Sequence, residues 1–199
     1  MIKIGFLMGS FDPIHVGHIN MIREALNWLD KVIVVPSGHN PWKKDIEPAP
    51  FELRVQMIYE AIKPFGDRAE VTDIEGTFEP PFYSNKPLNY FKEKYPEDDK
   101  YIICGTDTIN KIPNWKDATT DILPFYKLMC IERDCSTQNF IHSVFDKDGK
   151  EYDYENVLTC SMSVSSTQIR QLIKEGKETY PLLPNEVAII IKDNKLYQS

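Results

Sequence analysis

Gly9-Ser10-Phe11-Asp12-Pro13-Ile14-His15-Val16-Gly17-His18 is the stretch on which the fold of this 199-residue chain turns. It follows the apolar run Ile2 to Met8 and precedes Ile19, Ile22, Ala25, Leu26 and Leu29, which recur at helical spacing. A strand therefore passes into a helix here, and the turn between them presents backbone donors at the helix start. A helix N-terminus carries roughly half a positive charge and is a ready anion site. Gly9 and Gly17 let a ligand or a neighbouring chain come close to the backbone. His15 and His18 flank Gly17, and the spacing predicts both rings facing one polyanion, with their N–H groups on phosphate oxygens. A lone histidine beside a helix is more often structural, but two converging at a helix start favour anion binding.

This stretch resembles the first signature, H-x-G-H, of a nucleotidyltransferase superfamily, and its longer form is similar to that of the pyridine mononucleotide adenylyltransferases. Class I aminoacyl-tRNA synthetases share the motif and the fold. Further on, Val164-Ser165-Ser166-Thr167-Gln168-Ile169-Arg170 looks like the superfamily's S-S-T-x-I-R signature. By its own residues this is a capped helix: Ser165 and Gln168 form a capping box, Ile169, Leu172 and Ile173 make the apolar face, and Gly176 closes it. Three hydroxyls and Arg170 add a second phosphate cradle, and two cradles at one sheet edge suit a triphosphate.

The resemblance implies an α/β protein, a single Rossmann-like doubly wound domain over residues 1–199 with a mostly parallel sheet. It implies transfer of an adenylyl group from ATP, accompanied by Mg²⁺, to nicotinate or nicotinamide mononucleotide, with release of pyrophosphate. His18 would then contact the α-phosphate, while His15, Ser166, Arg170 and Lys43 hold the leaving pyrophosphate. Gly105 and Asp107 would hold the adenosine, with Gly9, Ser10, Phe11, Ser165 and Thr167 completing the ATP site. Tyr83 and Trp115 would sandwich the pyridine beside Ser84, and Arg133 would reach the mononucleotide phosphate. A phosphopantetheine adenylyltransferase-like enzyme shares both signatures, and a non-catalytic nucleotide sensor or a synthetase fragment are the remaining alternatives.

Composition bounds these readings. With 42% hydrophobic and 27% charged residues the chain can bury one α/β core. A net charge of −7 without a Lys/Arg block argues against sequence-independent nucleic-acid binding. No apolar run approaches the roughly 18 residues of a membrane span, which predicts a cytoplasmic protein. The four cysteines, at 104, 130, 135 and 160, lack a C-x-x-C pair and read as reduced thiols rather than a zinc site. Self-association into a homo-oligomer stays open.

Along the rest of the chain, Lys31 to Val35 reads as a doubly buried strand, followed by a proline-rich loop to Pro50 that carries Lys43. Phe51, Val55, Ile58 and Ile62 mark a helix over 51–63 with Arg54 on its rim, and Glu70 to Ile74 a third strand. The loop Glu75 to Pro87 carries Phe82-Tyr83-Ser84. It leads to a helix over 89–95, a fourth strand over 100–104 that runs into Gly105-Thr106-Asp107, a helix near 116–123 and a fifth strand over 127–132. Residues 134–155 read as a polar surface excursion, Asn156 to Ser161 as the last strand, and Asn185 onward as a capped helix. Between Glu75 and Asn85 there is no Lys or Arg while Glu75 and Glu79 are acidic, so this loop predicts little preference for an acid acceptor over its amide.

If Lys43 and Arg170 both hold leaving-group phosphates, neutralising either raises KM for ATP by about tenfold or more and leaves the mononucleotide's KM nearly unchanged. Steady-state kinetics with each substrate varied in turn checks this. The reverse pattern would exchange the two subsites.

Overall fold

A computed structural model describes residues 1–38, 48–80, 83–132, 143–158 and 164–198. In chain order the principal elements are β1 (Lys3–Gly9), α1 (Val16–Ala25), β2 (Lys31–Pro36), α2 (Phe51–Ile62), β3 (Ala69–Val71), α3 (Asn85–Lys94), β4 (Asp99–Cys104) and α4 (Thr106–Ile109). They continue with β5 (Lys127–Glu132), β6 (Ser143–Phe145), β7 (Glu151–Leu158), α5 (Ser166–Lys174) and α6 (Asn185–Asp193). The strands form one sheet in the order β3-β2-β1-β4-β5-β7-β6. Every neighbouring pair is parallel except β6 with β7.

Alternation along the buried strands sorts the apolar side chains onto two faces. Leu7, Val32, Val34, Tyr101, Ile103 and Met129 meet α1, α2, α5 and α6 on one side. Phe6, Ile33, Val35, Ile102 and Leu128 meet α3 and the turn at Ala118–Ile122 on the other. The strand order reverses between β1 and β4, where Leu7 pairs with Ile103 and the two strands diverge into different connections. Open α/β sheets bind ligands in the crevice at that point, beyond the carboxyl ends of the strands. Both Gly9 and Gly105 stand there. Among the described residues no helix is long and apolar enough to cross a membrane.

Several expectations need correction. The stretch expected as a surface excursion contains β6 and most of β7, and the last strand runs Glu151–Leu158 rather than from Asn156 to Ser161. Its alternation of exposed Glu151, Asp153 and Glu155 with Tyr152 and Tyr154, which pack on the core, is the period of a half-buried strand. The third strand is only Ala69–Val71, α3 begins at Asn85, and α6 starts after Pro184 without a side-chain cap. Arg54 is not on a rim: it is 1% exposed, in line with Met57, Ile58 and Ala61 on the buried face of α2. Cys104 and Cys130 are buried Cα partners on β4 and β5, and burial pushes the Cys104 thiol well above its usual range. Cys135 and Cys160 lie outside the described residues.

Gly5, in the middle of β1, leaves room for side chains from β4 and from the turn after α1. A Cβ there would stand 2.5 Å from both Ile103 Cδ1 and Leu29 Cδ1. Overpacking of a tight core costs about 1–3 kcal/mol. Gly5→Ala therefore lowers stability by that amount in a denaturant titration, and an unchanged midpoint would mean the two side chains turn aside freely.

Candidate active site

The first turn starts where β1 stops. Phe11 has φ 47°, a left-handed conformation that costs a non-glycine residue on the order of 1 kcal/mol. Its ring is buried and meets the His18 ring edge-on at 4.9 Å and 68°. A Cβ on Gly9 would press on that ring at 3.2 Å, and one on Gly17 would lie 3.0 Å from the His15 ring. The two glycines thus make room for the rings that shape the turn.

The histidines cap α1 reciprocally. His15 Nδ1 accepts from the Gly17 N–H at 3.1 Å, and His18 Nδ1 accepts from the His15 N–H at 3.3 Å. This is the logic of a capping box, with imidazoles in place of a hydroxyl and a carboxyl. The rings stack at 3.8 Å and 25°. An Nδ1 that accepts places the proton of the neutral ring on Nε2, so each ring has Nε2–H as its donor. His15 is 2% exposed and His18 half-buried, so the His18 edge is the more open of the two.

The second signature is sewn onto the first. Ser165 caps α5 reciprocally with Gln168. Ser166 Oγ donates to the Pro13 carbonyl at 2.9 Å, and Arg170 Nη1 donates to the Asp12 carbonyl at 2.7 Å, with the Asp12 carboxylate 3.6 Å away. Arg170 Nη2 donates to Thr167 Oγ1 at 3.3 Å. The start of α5 is therefore bonded directly to the turn that leads into α1.

On the other side of the switch point, Gly105 precedes α4 and the exposed Asp107 folds back, its Oδ1 2.9 Å from where a Gly105 Cβ would be. Trp115 is half-buried against the core beneath α3, and Lys116 Nζ lies 5.0 Å from the centre of the half-buried Tyr83 ring. Asn85 Nδ2 donates to Asp117 Oδ2 at 2.7 Å, tying the helix after Ser84 to the segment after Trp115. Ser84 itself makes no side-chain cap. Lys43 and Arg133 lie outside the described residues.

Behind the turns lies a buried polar network absent from the sequence-based site. Asp12 Oδ1 accepts from the Ala49 N–H at 3.0 Å and from the Tyr197 hydroxyl at 2.6 Å. Burial, reinforced by Asp12, pushes the Tyr197 hydroxyl well above its usual range. Arg54 donates Nε–H to the Ala49 carbonyl at 2.9 Å, Nη1 to those of Ser10 and Ser37 at 2.8 Å each, and Nη2 to that of Gly38 at 3.0 Å. Burial lowers the Arg54 pKa from its ordinary value, against the pull of Asp12 and Glu75, but a guanidinium keeps its proton. Glu75 accepts from the Gly38 N–H at 2.9 Å; burial raises its pKa, and that bond and Arg54 pull it back. The helical spacing of Arg54 with Met57, Ile58 and Ala61 was the available signal for its burial.

The family model described as Cytidylyltransferase-like matches residues 6–172. A Clostridium botulinum protein described as "Probable nicotinate-nucleotide adenylyltransferase" is 35% identical over the full length of both chains. One of the same description from Methylacidiphilum infernorum is 30% identical, covering 98% of this chain and 92% of its own. The solved structure of the Plasmodium falciparum nicotinic acid mononucleotide adenylyltransferase complexed with NaAD matches with a TM-score of 0.76 at 20% identity, covering 99% of this chain and 98% of its own.

The capping geometry separates two roles of His18. His18→Asn retains a short acceptor for the His15 N–H but no remote donor, whereas His18→Gln puts an amide N–H near the place of Nε2. If the donor stabilises charge developing on phosphate, His18→Asn and His18→Ala lose about a hundredfold or more in kcat for pyrophosphate release, and His18→Gln retains an intermediate rate. A faster rate for His18→Asn than for His18→Gln would assign His18 to capping alone.

Proposed function

The chain belongs to the cytidylyltransferase-like family, and on that premise we propose that it is the adenylyltransferase of NAD biosynthesis, joining ATP to nicotinate mononucleotide. The observation that carries this is the direct bonding of α5 to the turn before α1, beside two stacked, reciprocally capped imidazoles beyond the carboxyl end of β1, where a triphosphate chain would meet both signatures.

The chemistry asks for alignment more than for a base. The mononucleotide phosphate has a second pKa near 6 and is already ionised at neutral pH. One of its oxygens attacks the α-phosphorus of ATP, a P–O bond forms, the bond to the β-phosphate oxygen breaks, and pyrophosphate leaves with the electron pair. Positioning two anions in line and stabilising charge on the equatorial oxygens lowers the barrier. His18 Nε2–H serves the α-phosphate. His15, Ser166, Arg170 and Lys43 serve the outgoing pyrophosphate, with Gly9, Ser10, Phe11, Ser165 and Thr167 around them. Gly105 and Asp107 serve the adenosine, Tyr83, Ser84 and Trp115 the pyridine, and Arg133 the acceptor phosphate. The whole chain acts as one unit in this scheme.

Mg²⁺ accompanies ATP. Among the described residues no group of three or more His, Cys, Asp or Glu side chains is placed to hold a metal ion. An ion carried in on the ATP phosphates would neutralise their charge there.

The fold changes the expected choice of acceptor. Between Glu75 and Asn85 the chain offers no Lys or Arg, but Lys86 follows and bonds the Glu79 carbonyl, Glu75 is turned inward onto Gly38, and Lys116 comes to the Tyr83 ring from a distant segment. The last two facts support the acid, as do the nicotinate names of the relatives.

Mixing the protein with ATP, Mg²⁺ and each mononucleotide and measuring pyrophosphate tests both levels of the proposal. A hydrogen bond to a charged group contributes about 1.5–3 kcal/mol, so kcat/KM for nicotinate mononucleotide exceeds that for the amide by about tenfold or more. Lys116→Ala narrows the ratio. An equal or greater rate with the amide overturns the acid assignment, and no pyrophosphate with either overturns the function.

A further inference from the structure

Gly38 and Ala49, on either side of residues 39–48, are held in the same way. The Gly38 N–H goes to the buried Glu75 carboxylate and its carbonyl to Arg54; the Ala49 N–H goes to the buried Asp12 carboxylate and its carbonyl to Arg54. The same guanidinium also takes the carbonyl of Ser37, just beyond β2, and that of Ser10, inside the turn that leads to the histidines. Four carbonyls from three stretches of chain thus converge on one side chain. Helix α2 carries it and the Phe51 ring lies against it, with the guanidinium carbon 5.4 Å from the ring centre.

We propose that Arg54 is a positioning residue for adenylyl transfer, fixing the phosphate-facing turn through Ser10, the exit of β2 through Ser37 and Gly38, and the entrance to α2 through Ala49. The proposal rests on the reading of the site as an ATP site.

Its physical content is geometric. A guanidinium offers five N–H donors in a planar fork, and Arg54 uses that plane to reach carbonyls on opposite sides at 2.8–3.0 Å. An ammonium offers three donors from one point, and cannot span the set. With Arg54→Lys at least one buried carbonyl goes unpaired. Ser10 is the consequential one, because its neighbour Phe11 holds a left-handed conformation and its ring bears on His18. The second link runs through Asp12. Its carboxylate receives Ala49 and Tyr197, and its own carbonyl receives Arg170, so a shift of the Ala49 end reaches the second signature as well. The aromatic side of the site, Tyr83 and Trp115, receives none of Arg54's four bonds. Loosening the clamp should therefore be felt at ATP and hardly at the acceptor's ring.

A residue that merely stabilised the fold would lower the melting temperature and leave the kinetics of the folded fraction unchanged. The test uses the full chain with Arg54→Lys and Arg54→Ala, below their melting temperatures. The readouts are ATP binding by calorimetry without acceptor, KM for each substrate, and kcat. For Arg54→Lys we expect ATP to bind about tenfold more weakly and kcat/KM for ATP to fall by at least that factor, while KM for the mononucleotide moves by less than about twofold. Guanidinium chloride at about 20 mM, against matched sodium chloride, should restore Arg54→Ala by about threefold or more and leave wild type unaffected, because the cavity left behind carries the same four carbonyls.

Wild-type ATP affinity and kinetics in a folded Arg54→Lys protein overturn the proposal, as does an equal loss in both KM values. An Arg54→Lys chain unfolded at 25 °C also overturns it, since Arg54 is then a folding element. If Arg54→Ala fails to fold, Arg54→Lys decides alone. The calorimetry needs no acceptor, so a wild-type protein that binds ATP and adenylylates neither mononucleotide refutes the proposed function while the Arg54 comparison still stands on its own.

Discussion

Two charges buried where β1 ends, Asp12 and Arg54, hold the carboxyl edge of the sheet together. Asp12 is 5% exposed and Arg54 1%, and between them they engage the first turn, the exits of β1 and β2, the second-signature arginine and the C-terminal tyrosine. Burying an ion costs several kcal/mol unless hydrogen bonds replace its water. Here the replacement is nearly complete, and most of it comes from backbone groups that helices and strands leave over. The pair therefore contributes less as Coulomb attraction than as a demand: only one arrangement of these segments satisfies all of its donors and acceptors. Glu75 adds a third buried charge on the same terms, its carboxyl raised by burial and answered by the Gly38 N–H.

That demand explains how a turn with an unfavourable backbone can serve phosphoryl chemistry. Phe11 sits in the left-handed region, held by core packing on its ring and by bonds to the residues on either side of it, Ser10 and Asp12. The imidazoles inherit this rigidity. Each uses Nδ1 to satisfy an N–H of the α1 entrance, so the tautomer follows from the capping bonds. A neutral Nε2–H donor aimed from a capped helix start suits a reaction whose nucleophile is already ionised. Nothing has to be deprotonated, and the donor costs no reorganisation as charge develops.

The two halves of the site rest on different foundations. The phosphate half is built from helix starts bonded backbone to side chain across 153 and 158 positions of sequence. The half proposed for the pyridine depends on longer side chains: Asn85 on Asp117, Lys116 over Tyr83, Trp115 against the core under α3. Specificity between acceptors can thus vary without disturbing the part that handles ATP, as expected when a common scaffold carries different substrates on its loops.

Local features were legible in the sequence because their causes are local. The continuous apolar runs of β1, β2, β4 and β5 require burial on both faces, α1 and α2 show the helical period, Ser165 and Gln168 spell their own capping box, and the two signatures announce the phosphate sites. Tertiary structure decided what depends on partners far along the chain. An arginine in an apolar helical stripe is buried or exposed according to whether four carbonyls from elsewhere meet it, and Arg54 looks like a rim residue until Ser10, Ser37, Gly38 and Ala49 are in place. Tyr197 and Asp12 lie 185 positions apart, and no periodicity links them. The strand β7 alternates too weakly to stand out beside buried strands and acquires its identity by pairing with β5 and β6. Lys116 reaches Tyr83 only because α3 docks on the turn after Trp115. Side-chain period and capping act over a few residues and can be read in one dimension; the pairing of a buried charge or a cross-chain cation is settled only when the backbone has brought both partners out of water together.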